Sequence, residues 1–415
     1  MIQLPEDFIR QTRAVMGDER FERYMEAFSE EVPTSIRLNP LKTAHGVRND
    51  VLSARVPWCE EGYYLEGRPQ FTFDPLFHAG CYYVQEAASM FVSHVLRHHV
   101  KEPVAMLDLC AAPGGKSTAA ISALPAGSTL FSNEPSPLRA QILLENITKW
   151  GWEGCTVTNN YPRDYRKARA CFDVILCDVP CSGEGMFRKD PQAVGEWSLQ
   201  NVEKCWRLQR EIVADAWECL VPGGLLIYST CTFNMKENEE NVRWIIEQYD
   251  AQVLSVPTDP AWQITGSLLE GFDEPVYRFI PGISRGEGLF LCALRKDTGN
   301  VKSERREVAA KSTSPFHPLQ TSFLPSSTSR SKCDTPPQSA FQVELTYPQA
   351  IAYLRHEALV LPEDTPRGIG TVTFQGLPLG QVKNIGTRAN NLYPKEWKIK
   401  TTHIPNDYEA ILRHT

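Results

Sequence analysis

No two of the 12 cysteines in this chain stand in a C-x-x-C pair, so the spacing that binds zinc is missing and no metal site is expected. A chain of 415 residues does not need disulfide staples, so reduced thiols in a cytoplasm are expected. No apolar stretch reaches the roughly 18 residues of a membrane span, and no membrane partner is expected. The start, Met1-Ile2-Gln3-Leu4-Pro5-Glu6-Asp7, has neither a basic end nor an apolar core, which argues against a secretory signal. An excess of positive charge is missing too: 43 Lys and Arg stand against 50 Asp and Glu, for a net charge of −7. Bulk charge therefore does not make the chain a coat for nucleic acid, although a local basic surface is what backbone phosphates would meet. Two phosphate-binding signatures fail as well. A Walker A loop would need glycine at position 110, where Cys110 stands, and no G-x-G-x-x-G is present. No internal repeat is visible.

What is present is an ordinary globular composition, 42% hydrophobic and 22% charged, long enough for two or three domains. Apolar residues at helical spacing (Phe8, Ile9, Thr12, Val15, Met16) precede Pro33 and Pro40. They predict helices docked beside a small α/β unit running to about residue 75. Residues 58–77, aromatic and rich in Gly and Pro, predict strands and turns, and 85–92 a helix leading into a central domain. From 104 to about 295 strand and helix patterns alternate, with helices at 116–124, 138–150 and 199–220 and strands at 129–134 and 156–158. The helix at 199–220 carries Val202, Cys205, Ile212, Ala216 and Leu220 near one face. Such alternation predicts a doubly wound parallel sheet, finished by antiparallel edge strands within 276–295. Residues 297–338, rich in Ser, Thr, Pro, Lys and Arg, predict a flexible linker. A compact C-terminal module follows, in which 371–380 predict two short strands and a turn. The expected boundaries are thus 1–100, 101–296, 297–338 and 339–415.

Three strand-to-loop junctions concentrate the chemistry. Met106-Leu107-Asp108-Leu109 runs into Cys110-Ala111-Ala112-Pro113-Gly114-Gly115-Lys116. The Gly-Gly turn suits a phosphate-free cofactor pressed against backbone, and equally suits plain strand–helix packing. Glu134 ends the second strand, where doubly wound folds place an acid for ribose hydroxyls. The second junction, after Phe172-Asp173-Val174-Ile175-Leu176, is Cys177-Asp178-Val179-Pro180-Cys181-Ser182-Gly183; the third, after Gly224-Leu225-Leu226-Ile227, is Tyr228-Ser229-Thr230-Cys231-Thr232-Phe233. Asp178 could bond the ring nitrogen and exocyclic amine of a cytosine, or simply cap a helix. Cys181 and Cys231 could be nucleophiles or small buried hydrophobes. Two such thiols beside one cofactor loop favour chemistry over packing. Lys116 is a cofactor-loop or active-site cation, or a solvated helix residue. Arg367, Lys383, Arg388, Lys395, Lys398 and Lys400, interleaved with Phe374, Tyr393 and Trp397, predict a surface for phosphates and stacked bases, with a merely solvated face as the competitor.

Together, Asp108 to Lys116, Asp178-Val179-Pro180-Cys181-Ser182-Gly183-Glu184-Gly185 and Ser229-Thr230-Cys231-Thr232 resemble the Nol/Nop/Sun family of RNA cytosine-C5 methyltransferases. Arg188-Lys189-Asp190-Pro191 and Glu237-Asn238-Glu239 are similar to it as well. Gly376-Leu377-Pro378-Leu379-Gly380 and Asn390-Asn391-Leu392-Tyr393-Pro394 resemble its RsmF-like branch, which methylates small-subunit ribosomal RNA. The resemblance implies a doubly wound, Rossmann-like S-adenosylmethionine-dependent methyltransferase core, a small α/β N-terminal module facing RNA and a PUA-like C-terminal module. It implies Cys231 as the nucleophile toward cytosine C6, Cys181 as an aid to release of the adduct, Asp178 as the group that steadies charge on the ring, and Lys116 beside them. The cofactor would lie on Cys110, Ala111, Ala112, Pro113, Gly114, Gly115, Lys116, Glu134, Asn160 and Asp178. Val179 stands where alanine is usual. Asn159 and Asn160 stand where relatives carry an acid after the third strand, which leaves that adenosine contact open. A DNA cytosine methyltransferase uses its Pro-Cys cysteine as nucleophile, so chemistry alone does not divide the roles of the thiols. The expected partner is RNA, ribosomal and either naked or in the small subunit, met by a monomer. The rivals are the same reaction on transfer RNA and an assembly factor without turnover.

Overall fold

Three larger sheets follow one another along the chain, and a two-stranded one pairs Val47–Arg48 with Arg413–His414, in a computed structural model that describes residues 3–43, 47–48, 52–298, 319, 341–401 and 411–414. Helices α1 (Glu6–Met16) and α2 (Asp18–Glu26) meet at Gly17, whose φ of 73° is a turn that glycine makes without strain. Their buried stripe (Phe8, Met16, Phe21, Tyr24) packs on Phe187, Trp197, Val202 and Phe233 of the central domain. Expected beside the N-terminal sheet, these helices instead brace the loops after the cysteine strands, because that is where a matching aromatic surface lies: Phe8 and Phe187 rings are 4.8 Å apart, Tyr24 and Phe233 5.3 Å. Strands β1 (Ser35–Leu38), β2 (Leu52–Arg55), β3 (Gly62–Leu65) and β4 (Tyr82–Val84) form an antiparallel sheet in the order β2-β3-β1-β4.

The expected helix at 85–92 begins late, as a 3₁₀ turn before α3 (Phe91–His99). The Glu86 carboxylate accepts from Ala88 N and Ser89 N at 2.9 Å and also from Glu287 N at 2.8 Å, so it caps the helix and ties it to the central domain.

The central sheet contains β5 (Ala105–Asp108), β6 (Thr129–Asn133), β7 (Cys155–Thr158), β8 (Phe172–Asp178), β9 (Leu220–Thr230), β10 (Gln252–Leu254), β11 (Tyr277–Phe279) and β12 (Leu289–Arg295). Its order is β10-β12-β9-β8-β5-β6-β7, with β11 on β12; β5 to β9 pair in parallel and the pairs made by β12 are antiparallel. Helices α4 (Gly115–Ala123), α5 (Pro137–Trp150), α6 (Leu199–Cys219) and α7 (Glu239–Tyr249) connect the strands. Alternate strand residues feed two cores, Met106, Leu176 and Ile227 against α4 on one face and Leu107, Ile175 and Leu226 against α6 on the other. The doubly wound sheet is therefore present. From β5 the chain leads to β6 on one side, while β8 lies on the other, so the crevice of the switch point opens between the ends of β5 and β8.

The C-terminal module packs α8 (Tyr347–Leu354) on a sheet of β13 (Gln342–Glu344), β14 (Gly368–Phe374), β15 (Leu377–Asn384) and β16 (Ala389–Asn391). Gln375 and Gly376, with φ of 51° and 76°, make the tight turn expected between β14 and β15. Its core is continuous with that of the N-terminal sheet, where Ile36, Leu76 and Tyr82 join Leu345, Ile351 and Phe374. Nearly all of the expected linker lies outside the described residues. Among the described residues, no helix is long and apolar enough to cross a membrane.

Candidate active site

Parallel pairing of β8 and β9 sets Cys177 opposite Tyr228 and Asp178 opposite Ser229, and Val179 N donates to Ser229 O at 3.0 Å to extend the ladder. Residues just beyond both strands must therefore emerge side by side. The sulfurs of Cys181 and Cys231 lie 3.0 Å apart, and Cys231 N donates to Cys181 Sγ at 3.3 Å. Lys116, from the first turn of α4, reaches across the crevice and donates to Asp178 Oδ2 at 2.8 Å; Ser229 Oγ donates to Oδ1 at 2.7 Å. All four residues expected to carry chemistry converge, and Lys116 falls on the thiol side of the cofactor loop. The hydrogen bond to Cys231, then burial, pushes the Cys181 thiol well above its ordinary value. Burial alone would drive the Lys116 ammonium down, yet Asp178 holds it above the usual lysine value. Ser229 was not singled out from sequence, although its place two residues before Cys231 on a strand puts both side chains on one face.

Behind the thiols lies a buried carboxylate pair, Glu184 and Glu237, whose motifs the sequence offered without their meeting. Asn234 Nδ2 donates to Glu184 Oε1 at 3.0 Å and to Glu237 Oε1 at 2.8 Å. Glu237 Oε2 also accepts from Ser182 N and Gln209 Nε2, and Glu184 Oε2 from Phe233 N and Asn234 N. The two acids thus hold the Cys181 loop and the Cys231 loop to one frame. Burial, followed by the nearby Glu184 charge, raises Glu237 to about 7. Gly185 N donates to Cys231 O at 2.8 Å, and a Cβ at Gly185 would sit 2.7 Å from Gly288 Cα, so only glycine allows this closeness.

The remaining expected residues line the crevice on its other side. Gly114 adopts φ 114°, after a cis peptide bond between Ala112 and Pro113. Arg139 donates to Ala112 O at 2.9 Å and Asn146 to Pro113 O at 2.8 Å, so α5 holds the Cys110–Lys116 loop through its carbonyls. Cys110 packs against the core on the α6 face, and burial raises its thiol well above normal, which suits a wall more than a nucleophile. Asp108, fully buried and raised to about 7 by burial, accepts from Ser117 Oγ at 2.6 Å through Oδ2. Glu134 Oε1 accepts from Ser136 N at 2.9 Å, while Arg139 stands 3.4 Å from Oε2 without a hydrogen bond's geometry. Asn159 spends its amide on the carbonyls of Glu134 and Pro135, whereas the Asn160 amide is buried near the Tyr165 hydroxyl without a full hydrogen bond. Asp108 Oδ1, Glu134 Oε2 and Asn160 Nδ2 are all buried and without hydrogen-bond partners at the ends of three neighbouring strands. Two acceptors and a donor in a glycine-turn crevice fit a ligand with an ammonium group, a ribose diol and an adenine, as S-adenosylmethionine has.

One expectation fails. Phe374, Tyr393 and Trp397 are buried, packed into the core shared with the N-terminal sheet, and offer no stacking surface. Phe374 ends a strand, Tyr393 follows one and Trp397 closes a 3₁₀ turn, and each ring turns inward onto the apolar cluster shared with the N-terminal sheet. The six cations interleaved with them are exposed.

Comparison with known proteins shows the family and the fold. Residues 94–295 match the family model described as 16S rRNA methyltransferase RsmB/F. Residues 4–87 match the N-terminal domain of 16S rRNA methyltransferase RsmF, and 340–399 the methyltransferase RsmF PUA domain. The chain is 30% identical to ribosomal RNA small subunit methyltransferase F of Klebsiella pneumoniae, over 95% of this chain and 96% of that one. It is 33% identical to the protein of the same name from Pectobacterium atrosepticum, over 76% of this chain and 67% of that one. A methyltransferase homolog protein from Pyrococcus horikoshii shares the fold with a TM-score of 0.57, at 24% identity over 71% of this chain and all of that one. NSun6 from Pyrococcus horikoshii, solved with SFG, shares it with a TM-score of 0.58, at 22% identity over 70% of this chain and 98% of that one.

Proposed function

The chain belongs to the RsmB/F family of 16S rRNA methyltransferases, and from that membership we propose that this S-adenosylmethionine-dependent rRNA methyltransferase makes 5-methylcytosine in small-subunit RNA through a covalent adduct with Cys231. The observation that carries the reading is the convergence of Cys231, Cys181, Asp178 and Lys116 at one end of the crevice between β5 and β8.

Cytosine C5 is too poor a nucleophile to accept a methyl group unaided. The Cys231 thiolate bonds to C6, and the electron pair it displaces enriches C5. Asp178 accepts from the exocyclic amine, and the Lys116 ammonium, 2.8 Å from that carboxylate, balances charge as it develops. Bound sulfonium cofactor supplies an electrophilic methyl group at the crevice. After transfer a base takes the C5 proton, the ring double bond returns, and sulfur leaves C6 as thiolate. Cys181, whose raised pKa keeps its proton in place, donates to that departing sulfur from 3.0 Å. Glu134 Oε2 is the acceptor for ribose hydroxyls, Asn160 Nδ2 the donor toward the adenosine, and Asp108 Oδ1 the acceptor for the ammonium group. The target base must leave its stack to reach the thiols. Exposed Lys383, Arg388 and their neighbours on the PUA module would meet the phosphates. The enzyme would act as a monomer in the cytoplasm.

Bisulfite sequencing of ribosomal and transfer RNA, from cells with and without this protein, tests the reading. At least one small-subunit cytosine should resist deamination only when the protein is present. Unchanged patterns in all RNAs would refute the assignment, and a change confined to transfer RNA would move the substrate.

A further inference from the structure

Between the N-terminal sheet and the central domain lies a cavity of about 510 Å³, within the size range typical of small-ligand sites. Arg188 lines it, three residues after the Gly185 amide that bonds the Cys231 carbonyl. Its guanidinium pairs with Glu287 Oε1 at 2.7 Å, and the two side chains are only 5% and 3% exposed. Each nevertheless leaves a buried atom without a partner, Arg188 Nε as donor and Glu287 Oε2 as acceptor. Such atoms cost stability unless a ligand uses them. Trp58 and Trp262 also line the cavity, and at its mouth Arg285 lays its guanidinium 3.9 Å over the Tyr64 ring, with Arg55 nearby on the exposed surface.

We propose that this cavity receives a nucleobase next to the target cytosine in the same RNA strand. A base edge carries acceptors that fit the orphaned Nε donor of Arg188, which lines the cavity and is held from behind by Glu287, and bases in single-stranded RNA stack on aromatic rings and arginine planes. Exposed Arg55 and Arg285 at the opening suit the phosphate on either side of the base. The target and its neighbour would then both leave the stack, and enzyme specificity would be read at Arg188, which Glu287 holds in place. The inference rests on the reading of the chain as an RNA cytosine methyltransferase.

The test uses the full chain and transcripts of small-subunit RNA around the methylated cytosine, with each flanking nucleotide randomised and the product read by bisulfite sequencing. Wild-type enzyme should prefer one base at one flanking position by about tenfold or more. Glu287→Gln, which removes the charge that aims Arg188, should flatten or redirect that preference, as should Trp262→Ala and Arg285→Ala at the cavity mouth, which do not disturb the buried pair. Equal use of all four bases by wild type, or an unchanged preference in the two mouth variants, overturns the proposal. If no transcript is methylated, 4-thiouridine crosslinking of the same RNA decides: crosslinks to the peptide bearing Trp262 support the cavity, and crosslinks only elsewhere overturn it. Loss of methylation with every RNA would refute the proposed function instead.

Discussion

Cys231 and Cys181, 50 residues apart in sequence, face each other with sulfurs 3.0 Å apart because their strands pair in register. One thiol can form the bond to carbon and the other can attend it. Cys231→Ala should abolish methylation, a loss beyond about 10³-fold, while cofactor affinity measured by calorimetry stays unchanged. Residual turnover near the wild-type rate would place the nucleophile elsewhere.

Cys181→Ala separates bond making from bond breaking. With Cys231 intact the C6 adduct still forms, but the departing thiolate loses its hydrogen-bond donor. A protein–RNA species that survives a denaturing gel should accumulate with the variant and vanish when Cys231 is also replaced. Its absence in the single variant would reduce Cys181 to packing.

Glu237 links the site to pH. Its folded pKa, raised to about 7 from an ordinary 4.5, means the folded protein keeps a proton that the unfolded chain has lost. Stability associated with that proton is full below about 4.5 and drains away as pH rises to about 7. In Glu237→Gln nothing titrates there. The melting temperature of wild type minus that of the variant should therefore fall between pH 4.5 and 7, then level. A difference that is constant or rises with pH would contradict the assignment.

How much of this was legible depended on whether a residue's role is local. Cys181 and Cys231 could be placed because each follows an apolar strand, and parallel strands gather their ends at one edge. Strand alternation likewise placed Glu134 at the crevice. Asp108, Ser229 and Glu237 stood in recognisable motifs, but their roles and that of Asn234 were not legible, because these lie in the buried atoms they meet across the chain. The stripe on α1 announced burial but not its partner, and Phe187 was part of that partner. Phe374 and Trp397 were misread for a related reason. Cations and rings interleaved in sequence share a segment without sharing a face, and the N-terminal sheet waiting beneath claimed the rings.

That burial also decides how the C-terminal module must be tested. Removing it would strip Leu76 and Tyr82 of their apolar cover, so lost RNA binding could merely report lost stability. Exposed cations avoid the problem. Lys383 sits on β15 opposite Asn390 of β16, and Arg388 just precedes β16, so both lie on one end of the same hairpin pair. In Lys383→Glu/Arg388→Glu the core is untouched and stability should change by no more than about 0.5 kcal/mol per site. If both cations meet phosphates, RNA affinity falls, and the slope of log affinity against log salt flattens by roughly one for each lost contact. Cofactor affinity should not move, because the crevice belongs to the central sheet. A salt slope identical to wild type would make this face simply solvated and leave the N-terminal cavity and the crevice mouth to hold the RNA.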